Sequence, residues 1–267
     1  MPDAWLLAGG TDLGLRVSVH REKPPAILCV SAVPELQQLE AGPEGLRIGA
    51  GVTYGRLLPA LEGFRPLAAL LRRLGSRQIR GMGTLGATWA PPRRSGMRCR
   101  RCWRWARASC WPRRRGERVV GADAFFTGYR QTLLAPDEVI IRIDLPRPPQ
   151  GGVFVCEKLS KRHDQDISTV SAAFLLRLEP GRIAEARLAF GGMAATPARA
   201  AAAEAALTGA PWPKRASPPP PRPWRGILRL SDWRGSAEYR AAGAAGLLRR
   251  LFWRAAHPEL AMEVHAL

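Results

Sequence analysis

The chain has 267 residues, 46% of them hydrophobic, with a formal net charge of +19 and five cysteines. It holds no run of about 18 apolar residues, which excludes an ordinary membrane-spanning helix, and an odd cysteine count argues against a disulfide framework. So large a positive charge normally indicates a polyanionic partner, but residues 87–115 (ten arginines, no acid) and 211–229 (Lys214, Arg215, Arg222, Arg225, Arg229) carry fifteen of the nineteen charges.

The opening MPDAWLLAGG lacks the basic start and long apolar stretch of an export signal, so a cytoplasmic protein with reduced thiols is expected. AWLLAGGTDLGLRV reads as an apolar strand, a Gly-Gly turn and a helix that Thr11 and Asp12 are placed to cap. LRIGAGVTYGRLLPAL is a strand, a small-residue turn and an amphipathic helix opened by Thr53, and PLAALLRRLGS is a second helix. DEVIIRIDLP alternates as a half-buried strand, and after a boundary near PRPPQGG (146–152) the segments GGVFVCEKLSK, ISTVSAAFLLRLE and RIAEARLAFGGM are further β sequence. Helices follow in TPARAAAAEAALTG and SAEYRAAGAAGLLRRLFW, so the fold class is α+β.

A glycine pair after a strand is, alone, a tight turn that needs positive φ. The second glycine-bearing loop, RQIRGMGTLG at 77–86, sets Gly81, Gly83, Thr84 and Gly86 in one short segment. Such a loop lets backbone N–H groups approach a phosphate or flavin. Two of them joined by helices point to a nucleotide held between.

LLAGGTDLGLRV, GLRIGAGVTY, GSRQIRGMGTLG, LSKRHDQDISTVSAAF and AFGGMAATPARA, in this order, resemble the FAD-binding subunit of xanthine dehydrogenase and related molybdenum hydroxylases, which include carbon monoxide dehydrogenase. The resemblance implies an FAD-binding domain of the vanillyl-alcohol-oxidase (PCMH) type over residues 1–148 and a smaller α+β domain, like the carbon monoxide dehydrogenase flavoprotein C-terminal domain, over 151–257. It implies FAD contacts at Leu7, Ala8, Gly9, Gly10, Thr11, Asp12 and Leu13, which would wrap the pyrophosphate, and at Leu74, Thr84, Gly86, Ile140 and Lys158. Asp164 and Asp166 would order the turn after Lys158.

By the same resemblance, this oxidoreductase subunit would work in purine catabolism. Electrons would pass from [2Fe-2S] clusters through FAD to NAD⁺. Molybdopterin and the clusters would sit on partner chains or a missing domain, namely a molybdopterin-binding large subunit and an iron–sulfur subunit. No catalytic residue, protein-held metal, membrane or specific nucleic-acid partner is implied. The chain would start near the family's second structural element, without an upstream helix and strand.

The resemblance stops after Gly86. There the family continues with a Gly-Asn pair and a Ser-Pro-Ile-Gly-Asp loop, whereas this chain reads ATWAPPRRSGMRCRRCWRW. If GC-rich codons from Ala87 are regrouped by one base, they spell Gly-Asn-Leu-Gly-Thr-Ala-Ser-Pro-Ile-Gly-Asp. Residues 87–115 are therefore expected to be out of frame, as is the proline-rich stretch 213–228. Arginines would then hold the first segment in solvent, exposing Trp103 and Trp105, and FAD would bind poorly.

Other readings of the basic stretch are weaker. Cys99 and Cys102, with Cys110, have zinc-knuckle spacing but lack a fourth ligand at a normal interval. Arginines among Trp103, Trp105 and Trp111 could stack on single-stranded bases. The alternative for the whole chain is a non-catalytic basic remnant that binds polyanions without specificity.

Overall fold

Trp5, Leu6 and Leu7 form β1 (Trp5–Leu7), which pairs in parallel with β2 (Ile27–Cys29). Parallel neighbours cannot be joined by a hairpin, and α1 (Leu13–Ser18) supplies the crossover. The computed structural model describes residues 4–89, 107–112, 116–128, 131–194, 198–212, 230–257 and 259. They fall into two units, Met1–Arg147 with Arg162–Ile167, and Pro148–Lys161 with Ser168–Leu267.

The rest of the first unit is built on an antiparallel sheet. Its strands are β3 (Leu39–Gly42), β4 (Gly45–Gly49), β5 (Arg107–Pro112), β6 (Arg118–Gly121) and β7 (Glu138–Pro146), in the order β3-β4-β7-β5-β6. Alternation puts Leu46 and Ile48 of β4 and Ile143 and Leu145 of β7 in the core. The helices are α2 (Tyr54–Ala60), α3 (Arg65–Arg72), α4 (Arg77–Met82), α5 (Leu85–Trp89) and α6 (Ala122–Phe125). Thr53 caps α2 as expected, its hydroxyl accepting from the Arg56 N–H at 3.3 Å. Asp12 stands at the N-cap of α1 but makes no side-chain capping bond.

The segment expected in solvent behaves otherwise where it is described. Residues 107–112 form β5, paired on both sides, and Ala108, Ser109 and Cys110 are completely buried. The reason is local: three small uncharged residues stand together, so a central strand accepts them while Arg107 remains exposed. Upstream, Trp89 is fully buried, its ring 5.3 Å from Phe125 and 5.6 Å from Phe126. Trp103, Trp105, Cys99, Cys102 and the stretch 213–228 lie outside the described residues.

In the second unit, β8 (Val153–Leu159), β9 (Val170–Glu179), β10 (Arg182–Gly191) and β11 (Ala198–Arg199) form an antiparallel sheet ordered β11-β10-β9-β8. Helices α7 (Ala201–Leu207) and α8 (Ala237–Ala256) pack on it, burying Phe174, Leu188, Phe190, Leu248 and Phe252. Arg240 of α8 is fully buried, with a partner on each of its three guanidinium nitrogens. It donates to the carbonyls of Thr169 (2.6 Å), Gly192 (2.8 Å) and Gly235 (3.1 Å) and pairs with Asp232. Burying a guanidinium is tolerable only with such a set of partners.

The placement of β5 can be tested by thiol reactivity. Burial raises the Cys110 thiol to about 11, so it holds almost no thiolate at neutral pH. Exposed Cys29 is lowered by its hydrogen bond to the Ser31 hydroxyl. Iodoacetamide at neutral pH is expected to label Cys29 in the native protein and to reach Cys110 only after denaturation. Equal labelling of both in the native state would remove β5 from the sheet.

Candidate cofactor site

The turn that follows β1 is closed by the Gly14 N–H donating to the Gly10 carbonyl at 2.7 Å, with Gly10 at φ +68°. That φ is costly for any residue with a side chain. Gly9 lies against the C-terminal end of α4, where a Cβ would overlap the Met82 carbonyl. A Cβ on Gly83 would stand 3.3 Å from the Thr11 hydroxyl oxygen. The two glycine loops singled out in the sequence therefore touch each other.

The second loop is fixed from behind by the turn after β4. The Leu85 N–H donates to Val52 O (3.0 Å), the Gly86 N–H to Ala50 O (2.8 Å) and the Tyr54 N–H to Gly83 O (3.0 Å). Gly86 has no room for a side chain, since its Cβ would come within 2.7 Å of Ala50. Thr84 is 4% exposed, and its hydroxyl oxygen is buried with no hydrogen-bond partner. A buried hydroxyl without a partner is unusual and costs stability, so this orphan fits a site completed by a polar ligand. Tight loops that bring backbone amides close to a bound anion fit the pyrophosphate of a dinucleotide.

Leu74 is buried and precedes Gly75 (φ +53°). Arg80 of α4 holds this corner, donating to the carbonyls of Leu74 (3.0 Å) and Gly75 (2.7 Å), while the Ser76 hydroxyl caps α4 by accepting from the Ile79 N–H at 3.2 Å. Leu74 is thus tied through α4 to the glycine loops. Ile140 is buried in β7, paired with Cys110 of β5, in the same unit. Lys158 is half-buried on β8, paired with Ser171, and belongs to the other unit. The Arg162–Ile167 segment is part of the first unit, where Arg73 donates twice to the His163 carbonyl (2.8 and 2.6 Å). Asp166 orders that turn, its carboxylate accepting from the N–H groups of Arg162 (3.2 Å) and Ile167 (2.8 Å).

Of three supporting features, the Ala50–Val52 turn was read in the sequence as a small-residue turn, from the glycines flanking Ala50 in IGAGVT, while Arg80 and the capping Ser76 were not singled out. Nothing in RQIRGMG distinguishes a clamping arginine from a solvated one. Among the described residues, no group of three or more His, Cys, Asp and Glu is placed to hold a metal, and no helix is long and apolar enough to cross a membrane.

This architecture defines a flavoprotein of the carbon monoxide dehydrogenase kind. The structure superposes on a chain of carbon monoxide dehydrogenase from Hydrogenophaga pseudoflava with a TM-score of 0.83 and 27% identity, covering 97% of this chain and 91% of that one. Residues 1–148 match the family described as the FAD binding domain in molybdopterin dehydrogenase, and residues 156–255 the CO dehydrogenase flavoprotein C-terminal domain. The chain belongs to this family of FAD-binding molybdenum hydroxylase subunits. The nicotine 6-hydroxylase medium subunit of Paenarthrobacter nicotinovorans is 30% identical over 93% of this chain and 88% of its own length. Rat xanthine dehydrogenase/oxidase is 30% identical over 72% of this chain, a match spanning 16% of the rat protein.

The contact between the loops predicts a sensitivity at residue 9. Gly9→Ala must push the first loop off the Met82 carbonyl, because backbone cannot swing aside as a side chain does. A loss of about 1–3 kcal/mol is expected in chemical denaturation, whereas Gly14→Ala, which meets nothing within 4 Å, should cost far less. Equal effects would mean that the loops do not touch.

Proposed function

We propose that the chain is the FAD-binding electron-transfer subunit of a xanthine dehydrogenase-like molybdenum hydroxylase in purine catabolism. The observation that carries this reading is the contact of the two glycine loops beside the unpartnered Thr84 hydroxyl. Backbone amides of Ala8–Leu13 would hold the FAD pyrophosphate. Thr84 and Gly86 would form the second wall, Leu74 would pack on the cofactor, and Ile140 would complete its surroundings within the same unit. FAD supplies the ability to collect electrons singly and pass them on as a pair. The chain's own residues bind it, orient it and exclude water.

In this reading electrons arrive from [2Fe-2S] clusters on an iron–sulfur domain or subunit. Their source is a molybdopterin-binding large subunit, and NAD⁺ is the acceptor. The enzyme is cytoplasmic, with domains spanning 1–148 and 151–257.

We infer that residues 87–115 and 213–228 are out of frame. The chain then lacks the asparagine and aspartate that the family places after the second loop. Each lost cofactor hydrogen bond weakens binding by about 1–3 kcal/mol, so FAD is held loosely. Resequencing the gene should show a one-base change near the Gly86 codon and a compensating one before Gly116. Clean reads that confirm the present codons would end the frameshift proposal.

The functional test is flavin retention. A chain with residues 87–115 restored to the family frame should purify yellow with FAD releasable by denaturation, and Gly10→Val in that background should purify colourless, since valine at φ +68° forces the loop open. A colourless restored chain, or a valine variant that keeps its flavin, would refute the assignment.

A further inference from the structure

Tyr54, buried at the first position of α2, holds the second glycine loop at two points. Its N–H donates to the Gly83 carbonyl at 3.0 Å, beside the antiparallel bridge of Thr53 with Thr84. Its ring comes up against Gly83, where a Cβ would stand 3.5 Å from the Tyr54 Cδ2. Its hydroxyl, at the far end of a stiff side chain, hydrogen-bonds the hydroxyl of Thr88 in α5.

Three buried hydroxyls therefore stand along this loop, and they do not divide evenly. Thr84 and Thr88 are each 4% exposed. They are four residues apart across the start of α5, the spacing at which helical side chains stand one above the other. Tyr54 and Thr88 pair with one another, and the Thr84 hydroxyl is left without a partner. Leaving a buried hydroxyl unpaired is costly. The arrangement is stable only while something outside the core satisfies Thr84.

We propose that Tyr54 is a positioning residue of the cofactor cradle: by engaging Thr88, its hydroxyl keeps the Thr84 hydroxyl from being used up within the core and leaves it for an oxygen of the FAD pyrophosphate. The proposal deepens the reading of Thr84 as a wall of the FAD site and rests on it. Tyr54 acts through the two threonines rather than by touching the cofactor. Without its hydroxyl, Thr88 and Thr84 pair across one helical turn and Thr84 turns away from the ligand. If the Thr88 hydroxyl is removed as well, Thr84 has no internal competitor and returns to the cofactor.

The test is the FAD affinity of the full-length chain as written, since restoring the frame would replace Thr88. Binding is followed by quenching of flavin fluorescence. Tyr54→Phe, which keeps the ring and the backbone N–H, should weaken binding about tenfold with an unchanged circular dichroism spectrum. The double variant Tyr54→Phe with Thr88→Val should bind within about twofold of wild type, a rescue that a merely structural role for Tyr54 would not give. Thr84→Val should weaken binding by itself, and adding Tyr54→Phe to it should change nothing further. Wild-type affinity in Tyr54→Phe, or a double variant as weak as Tyr54→Phe alone, would overturn the proposal and leave Thr84 as a cofactor contact. No saturable binding by the wild-type chain, or undiminished affinity in Thr84→Val, would refute the cofactor wall itself and the proposal with it.

Discussion

The carbonyl of Met82 occupies the space a side chain at residue 9 would need. From that single close approach most of the first unit's geometry follows. It presses the turn after β1 onto the end of α4, brings Thr11 beside Gly83 and leaves Thr84 buried behind them. Hydrogen bonds from Leu85 and Gly86 to the Ala50–Val52 turn then anchor the second loop to β4. A short βαβ lobe, marginal as an isolated pair of strands, is thereby fixed to a five-stranded sheet by contacts that only glycine permits.

The second unit is organised around a different constraint. A fully buried arginine must satisfy its donors, and Arg240 does so by gathering the start of β9, the end of β10 and the 232–235 turn. That arrangement fixes one side of α8 against the sheet and leaves Tyr239 and Trp253 exposed on the other, where the Trp253 ring lies 4.1 Å from that of His257.

Much of this was legible in the residues. Period-two alternation in DEVIIRIDLP and the β-rich composition of ISTVSAAFLLRLE marked strands that the structure places in the two sheets, and Thr53 announced the start of α2. The glycine loops stood out because two of them, each beside a helix, occur in the same chain, where either alone would read as a tight turn. Less legible were contacts between distant segments. Nothing local says that Arg73 will hold the His163 carbonyl, or that Arg80 will clamp the Leu74 corner. The strand at 107–112 was misjudged because arginine density was averaged over the whole segment, although Ala108, Ser109 and Cys110 form a small uncharged core within it.

Equilibrium titration of the apoprotein with FAD, followed by quenching of flavin fluorescence, addresses the cradle most directly. A cradle made by the loops at Leu7–Leu13 and Gly83–Gly86 predicts saturation at one FAD per chain, tighter binding once residues 87–115 are restored to the family frame, and no saturable binding in Gly9→Val. Saturation that is unaffected by Gly9→Val, or none in the restored chain, would contradict it.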